Sequence, residues 1–389
     1  MATAEDTAPA APRHLIPILS AANFVIGMGA FVIIGVLEPL ADDLKIEPAG
    51  AGLLMTVYAL AYSLSSPLLV ALTGRVGRRR VLFFGLGLFT LGILGSAVAP
   101  GETILWLART VAAIGAGLFM PVSASVAAGL SAPDRRTRAL ASVFLGVTLA
   151  QILGIPAGAF IAYEIGWRVA FWLVVALALP CLWLVWTRVP KGLRFQPVSL
   201  HNLAEVLRQS RLMLSVMFTA LFLSGIYVVY TYFAPLFSLQ MGFEGAMISA
   251  LLLVFGMGAV LGNILGGALS DRVGPERTLG LLCLLQMSLL PFFSLLPLAL
   301  PMVLALVLTW SVCGWSFMAP QQARLISRAP EVAPVMLSLN AAAIYVGVAL
   351  GSALGGVALE LGGFGALGVT GSLVIGLALL ALWVARPRP

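Results

Sequence analysis

Apolar stretches of roughly 20 residues recur from Leu15 to Ala385, each long enough to cross a hydrocarbon core about 30 Å thick at about 1.5 Å per helical residue. The core of a soluble fold could not hold so many. Charge clusters and Pro/Gly breaks place twelve helices near 15–38, 49–72, 81–99, 103–130, 139–162, 169–187, 212–237, 246–270, 278–297, 302–323, 333–358 and 363–385. The fold class expected is an all-α integral membrane protein.

Only 10% of the residues are charged, against about 25% in a soluble domain. The net charge of +7 raises the question of nucleic acid, but the basic residues stand in short clusters between apolar spans and build no basic domain. Cys181, Cys283 and Cys313 fall inside apolar spans without motif spacing and read as small core residues. His14 and His201 lie in loops, so no metal cluster is expected. Neither Lys45 nor Lys191 completes a phosphate-binding glycine loop, which disfavours an ATP-driven pump. No cofactor and no enzymatic activity are expected. The first apolar run lacks a small-residue cleavage site and is expected to stay as a helix.

With the N-terminus in the cytoplasm, every basic residue except Lys45, Arg109 and Arg168 falls in a cytoplasmic segment. The set begins with Arg13, Arg75, Arg78, Arg79, Arg80, Arg135, Arg136 and Arg138, and continues through the central connection to Arg386 and Arg388. The positive-inside rule therefore puts both termini in the cytoplasm. The longest polar connection separates six helices from six. The expected organisation is a tail at 1–14, a bundle at 15–187, a cytoplasmic loop at 188–211, a second bundle at 212–385 and a tail at 386–389. An internal repeat at an offset of about 197 residues supports the division: Arg75-Val76-Gly77 matches Arg272-Val273-Gly274, Gly154 matches Gly351, and Gly158 matches Gly355.

The run Asn23 to Phe31, the segment Gly35-Val36-Leu37-Glu38-Pro39-Leu40-Ala41-Asp42-Asp43-Leu44, the run Gly52 to Leu60, and Gly166-Trp167-Arg168 with Phe171-Trp172 resemble the major facilitator superfamily. Within it they resemble the twelve-helix drug:proton antiporter branch, which includes arabinose-efflux-like and purine-nucleoside-efflux-like permeases. The resemblance covers nearly the whole chain. It implies two pseudo-symmetric six-helix bundles and a secondary transporter of a bacterial inner membrane.

The superfamily's loop signature appears in two imperfect copies. After the second helix it reads Gly74-Arg75-Val76-Gly77-Arg78-Arg79, with Gly74 where the acid belongs; after the eighth it reads Asp271-Arg272-Val273-Gly274, followed by Pro275-Glu276 in place of a basic pair. The resemblance makes Arg75, Gly77, Arg78, Asp271, Arg272 and Gly274 a latch between the halves. A carboxylate there can hold backbone N–H groups and Arg in one state and release them in the other. Simple retention of the first loop in the cytoplasm is the other reading.

Arg109, about two turns into the fourth helix, costs about 2.5–3.5 kcal/mol on insertion scales unless it meets water or a partner. It is expected to face the cavity, where the resemblance links it to proton coupling, or else to snorkel to the outer interface. Gly154, Pro156 and Gly158 resemble a loosened antiporter motif, or are ordinary small-residue packing.

No acid lies at the middle of any expected span. Glu38, at the outer end of the first helix, is the candidate for proton coupling together with Arg109, or else an interfacial carboxylate. Candidate substrate-binding residues on cavity-lining helices are Asn23, Tyr58, Tyr62, Thr148, Gln151, Tyr227, Tyr230, Trp310, Trp315, Asn340 and Tyr345. They describe an amphipathic, largely uncharged pocket. The function expected is proton-coupled efflux of a small neutral or weakly cationic organic solute by a monomer. Alternatives are uncoupled facilitated diffusion or uptake by the same fold and, remotely, a non-transporting receptor.

Overall fold

The computed structural model describes residues 14–131, 136–191, 193 and 206–385. Arg13, Arg135, Arg194, Arg386, Arg388 and most of the expected central loop lie outside the described residues, as does nearly all of both expected tails. The described residues are all helical in architecture, and among them twelve helices are long and apolar enough to span a membrane. These are α1 (Leu15–Leu44), α2 (Pro48–Val70), α3 (Arg78–Ala97), α4 (Glu102–Gly129), α5 (Arg138–Glu164) and α6 (Trp167–Arg188) in the first half. The second half holds α7 (Ser210–Met241), α8 (Gly245–Val273), α9 (Pro275–Leu295), α10 (Leu300–Arg328), α11 (Val335–Gly362) and α12 (Gly365–Val384). An even number of crossings puts Leu15 and Val384 on one face, termed terminal here. The opposite, distal face carries Asp43, Trp167 and Glu244.

The expected spans hold to within a few residues, with one consequential exception. α1 runs through Pro39 for another turn and a half, and Lys45 closes it at φ 54° with its N–H on the Ala41 and Asp42 carbonyls. Proline removes one backbone donor and crowds the carbonyl four residues earlier, here that of Gly35. α1 is buried on almost every face, and this packing outweighs the local defect. Glu38 is therefore an in-helix residue and not a terminal one.

Several spans break their own regularity. α5 carries a π-helical turn at Ala150–Gly154. α7 is interrupted after Tyr230 and resumes at Phe233, and α10 is interrupted between Trp315 and Met318. Irregular backbone at membrane depth is tolerated where protein covers it; Thr231, Tyr232 and Phe317 are fully buried.

The internal repeat reappears as equivalent contacts. A Cβ on Gly154 or Gly158 of α5 would come within 3.0 Å of Met28 or 2.5 Å of Val32 on α1. On Gly351 or Gly355 of α11 it would come within 2.4 Å of the Ser224 carbonyl or 2.6 Å of Tyr232 on α7. The same close helix approach is thus built twice, about one repeat apart. Lipid-directed positions such as Leu72, Phe84, Trp183, Leu361 and Leu373 are exposed and apolar.

Candidate functional site

The halves meet along a seam in which α2 packs on α11, α5 on α8, and α1 on the second segment of α7. At its centre Tyr62 of α2 and Tyr345 of α11 stack with ring centroids 3.6 Å apart. Their hydroxyls both donate to Met120 Sδ of α4 at 3.7 Å. Tyr227 of α7 faces Phe31 of α1 across the seam with centroids 6.5 Å apart. Thr56 donates to the Ala349 carbonyl, and Gly256 lies against Ile152. Toward the distal face, Gly52 and Gly356 accommodate Tyr232, and Gly245 accommodates Tyr163. These contacts run from mid-membrane to the distal face, so this is a distal-closed arrangement.

Arg109 is fully buried beside this centre, without snorkelling. Its Nη1 and Nη2 donate to the Gly29 and Ala30 carbonyls of α1 at 2.6 and 2.8 Å, and its guanidinium lies 4.3 Å from the centroid of the Tyr58 ring. Two charge-assisted bonds at about 1.5–3 kcal/mol each, with a desolvated cation–π contact, offset the cost of placing the cation at this depth.

The expected pairing of Glu38 with Arg109 does not form. Glu38 lies eight residues beyond Ala30 on α1, about 12 Å along the axis. Glu38 instead accepts the Tyr163 hydroxyl of α5 on one oxygen at 2.5 Å and the Ser238 hydroxyl of α7 on the other. One carboxylate thus bridges the halves near the distal face. Beside it Asp43 of α1 pairs with Arg168 and accepts the Trp167 indole N–H, while Arg168 also reaches the Ala99 carbonyl. The Gly-Trp-Arg sequence thereby ties α1, α3 and α6 together.

Of the candidate substrate residues, Tyr58, Tyr62, Tyr227 and Tyr345 converge at the seam centre. Tyr230 and Trp310 belong to an aromatic cluster inside the second half, where Tyr230 stacks on Phe255 at 4.1 Å and Trp310 lies 5.0 Å from it. Asn23 is taken up in joining α1 to α4 through Ser123 at 3.0 Å. Thr148 bonds back to the Phe144 carbonyl of its own helix. Gln151 is buried in the π-helical turn, Trp315 is half-buried, and Asn340 accepts the Thr219 hydroxyl at 2.6 Å. Gly154 and Gly158 sit against α1 inside the first half.

At the terminal face the two loop copies differ from expectation. Arg75, Asp271 and Arg272 are exposed, and among the described residues Asp271 forms no ion pair. Gly274 adopts φ 88° to turn α8 into α9, and the backbone N–H of the buried Arg78, preceded by Gly77, donates to the Leu193 carbonyl. The engaged acid is Glu276: Arg328 bonds to it at 2.5 Å and Arg324 approaches to 3.7 Å. A buried chain from Arg328 through Ser215, and from Gln321 through Thr219 to Asn340, continues this network across α7, α10 and α11.

Tyr163, Ser238 and Met120 escaped the sequence reading, and Glu276 entered it only as a departure from the loop signature. Tyr163 falls just past the expected end of the fifth span, and a serine or methionine inside an apolar run carries no signal of its own.

The family model described as Major Facilitator Superfamily matches residues 19–335. The chain is 31% identical to the uncharacterized MFS-type transporter YbcL of Bacillus subtilis, over 95% of this chain and 96% of that one. It is 30% identical to the inner membrane transport protein YdhP of Escherichia coli K12, with coverage of 95% and 96%. A "Probable sugar efflux transporter" of Mannheimia succiniciproducens is 28% identical, with coverage of 92% and 90%. Among solved structures, a bacterial homologue of the human lysosomal transporter Spinster, in an inward-facing and occupied conformation, superposes with a TM-score of 0.78 at 17% identity and 96% coverage of both chains, a likeness of fold.

Proposed function

The chain belongs to the major facilitator superfamily as a multi-pass membrane transporter and not an enzyme, and on that premise we propose proton-coupled efflux of a small neutral or weakly cationic amphipathic solute by alternating access. It works as a monomer in a bacterial inner membrane, with the terminal face in the cytoplasm, as the distribution of arginines supports. The observation that carries the reading is the Glu38 bridge. A carboxylate accepts from Tyr163 and Ser238 together, whereas a carboxylic acid keeps one acceptor oxygen and must donate its own O–H, so proton uptake disturbs this bridge, one of several hydrogen bonds that cross the seam. Arg109 fixes α1 against α4 and is the coupling partner through that helix, without direct contact.

Export is supported by the relatives named as sugar efflux transporters and by the Gly154-Pro156-Gly158 turn against α1. The second reading, an uncoupled facilitator, is favoured by the position of the acids: among the described residues Glu38 alone stands more than a turn inside a span. Flux driven by an imposed pH gradient in proteoliposomes separates the two. Loss of gradient dependence in Glu38→Gln supports coupling; wild-type flux indifferent to the gradient overturns it.

A further inference from the structure

At the centre of the seam three phenolic hydroxyls lack a strong acceptor. Tyr58 is fully buried, and among the described residues its hydroxyl meets no partner. Tyr62 and Tyr345 are also buried, and both hydroxyls end on the Met120 thioether, a weak acceptor. The Tyr62 hydroxyl also lies near those of Tyr345 and Ser66, but a chain of hydroxyls passes its donors along and still ends on the sulfur. Two flat rings from opposite halves lie face to face at the same point.

Charge points the same way. The Arg109 guanidinium lies behind the Tyr58 ring, and its Nε has no partner among the described residues. The acids on the surrounding helices, Glu38, Asp42, Asp43, Glu102 and Glu360, all stand toward span ends, so no carboxylate balances the cation at this depth.

These observations select a ligand chemistry. An organic cation meets the field of Arg109 in a low-dielectric setting. A monosaccharide has no flat conjugated ring to stack on the tyrosine faces. A flat ring bearing carbonyl or ether oxygens takes the place of the Tyr62–Tyr345 ring contact when the halves part, stacks on the freed faces and accepts from the phenolic hydroxyls. We infer that the site formed by Tyr58, Tyr62, Met120, Tyr227 and Tyr345 binds neutral planar ring compounds carrying acceptor oxygens, aromatic lactones being the simplest, and discriminates against cations. The inference rests on the transport reading of this site and narrows it to the neutral end.

Equilibrium dialysis of the full chain in nanodiscs against radiolabelled coumarin, tetraphenylphosphonium and L-arabinose tests it. Coumarin is expected to bind at least about tenfold more tightly than either comparator. Tyr58→Phe and Tyr345→Phe keep ring and volume and are each expected to weaken coumarin about five- to tenfold, the effect of one lost donor, with cation binding not reduced. Tighter binding of either comparator, absence of coumarin binding, or indifference to both substitutions overturns the inference. Proteoliposome flux is read separately. Coumarin bound with this donor dependence but not moved sustains the site chemistry and removes the transport reading; a transported cation without coumarin binding does the reverse.

Discussion

Glu38 of α1 accepts a hydrogen bond from Ser238 of α7 across the boundary between the halves, while its other oxygen holds Tyr163 of α5. Opening the distal face requires breaking the Ser238 bond and leaves the Tyr163 bond intact within the first half. Glu38→Gln retains a single acceptor oxygen and is expected to shift the population toward distal-open. Spin labels at the exposed Glu47 and Glu244 positions report it: their separation should lengthen in Glu38→Gln at neutral pH and in wild type only on acidification. A wild-type distance insensitive to pH rules out the switch.

Arg109 contacts α1 at Gly29 and Ala30 and never reaches Glu38. Arg109→Lys keeps a cation but surrenders the two-pronged contact, because a single ammonium on a flexible stem does not reproduce the planar fork. The expected result is a stability loss of about 1–3 kcal/mol and reduced flux, with the remaining flux still gradient-dependent. Abolished gradient dependence with unchanged thermal stability would mean that Arg109 carries the proton response itself.

The spans and the repeat were legible because lipid imposes a length on every helix and because glycine marks each close approach. Gly154 and Gly158 announced their partners Gly351 and Gly355 by spacing alone. The placement of the candidate residues was legible in part: four of the tyrosines meet at the seam, since aromatic side chains on helices facing a shared seam have one place to go. Asn23 and Asn340 were equally polar and equally buried, yet each satisfies a neighbouring helix of its own half, a choice fixed by helix rotation that no span pattern records. The Glu38 bridge was hidden because its donors are common residues, and because Pro39 suggested a helix end that packing overrides.

The terminal face yields a prediction about the order of states. Asp271 is exposed and unpaired among the described residues in the distal-closed arrangement, so a latch role belongs to the opposite state. Asp271→Asn is expected to leave thermal stability within about 0.5 kcal/mol while shifting the balance toward terminal-open. Gly74→Ala should shift nothing, because that loop lacks the acid. Glu276→Gln should instead cost about 1–3 kcal/mol, since it removes the carboxylate that the buried Arg324 approaches and the half-buried Arg328 bonds. Labels at Arg75 and Arg272 and a thermal melt read both effects, and equal shifts from Asp271→Asn and Gly74→Ala defeat the asymmetry.

Glycine at the seam and glycine within a half should answer differently to the same added methyl. A Cβ at Gly52 would lie 2.2 Å from the Tyr232 hydroxyl and 2.4 Å from its Cζ, and that ring cannot swing away because its hydroxyl donates to the Ser352 carbonyl at 2.8 Å while Gly355 and Gly356 lie against it. The clash exists only while the halves are closed on the distal side. Gly52→Ala is therefore expected to favour distal-open with little loss of fold stability. A Cβ at Gly158 meets Val32 Cγ2 at 2.5 Å within the first half, a contact kept whichever face is open. Gly158→Ala should lower stability by about 1–3 kcal/mol, the usual cost of overpacking, without moving the equilibrium between faces. The Glu47 to Glu244 distance and the unfolding midpoint, measured on both variants, separate the two: a longer distance in Gly158→Ala, or none in Gly52→Ala, removes the assignment of Tyr232 as the fixed side of the distal seam.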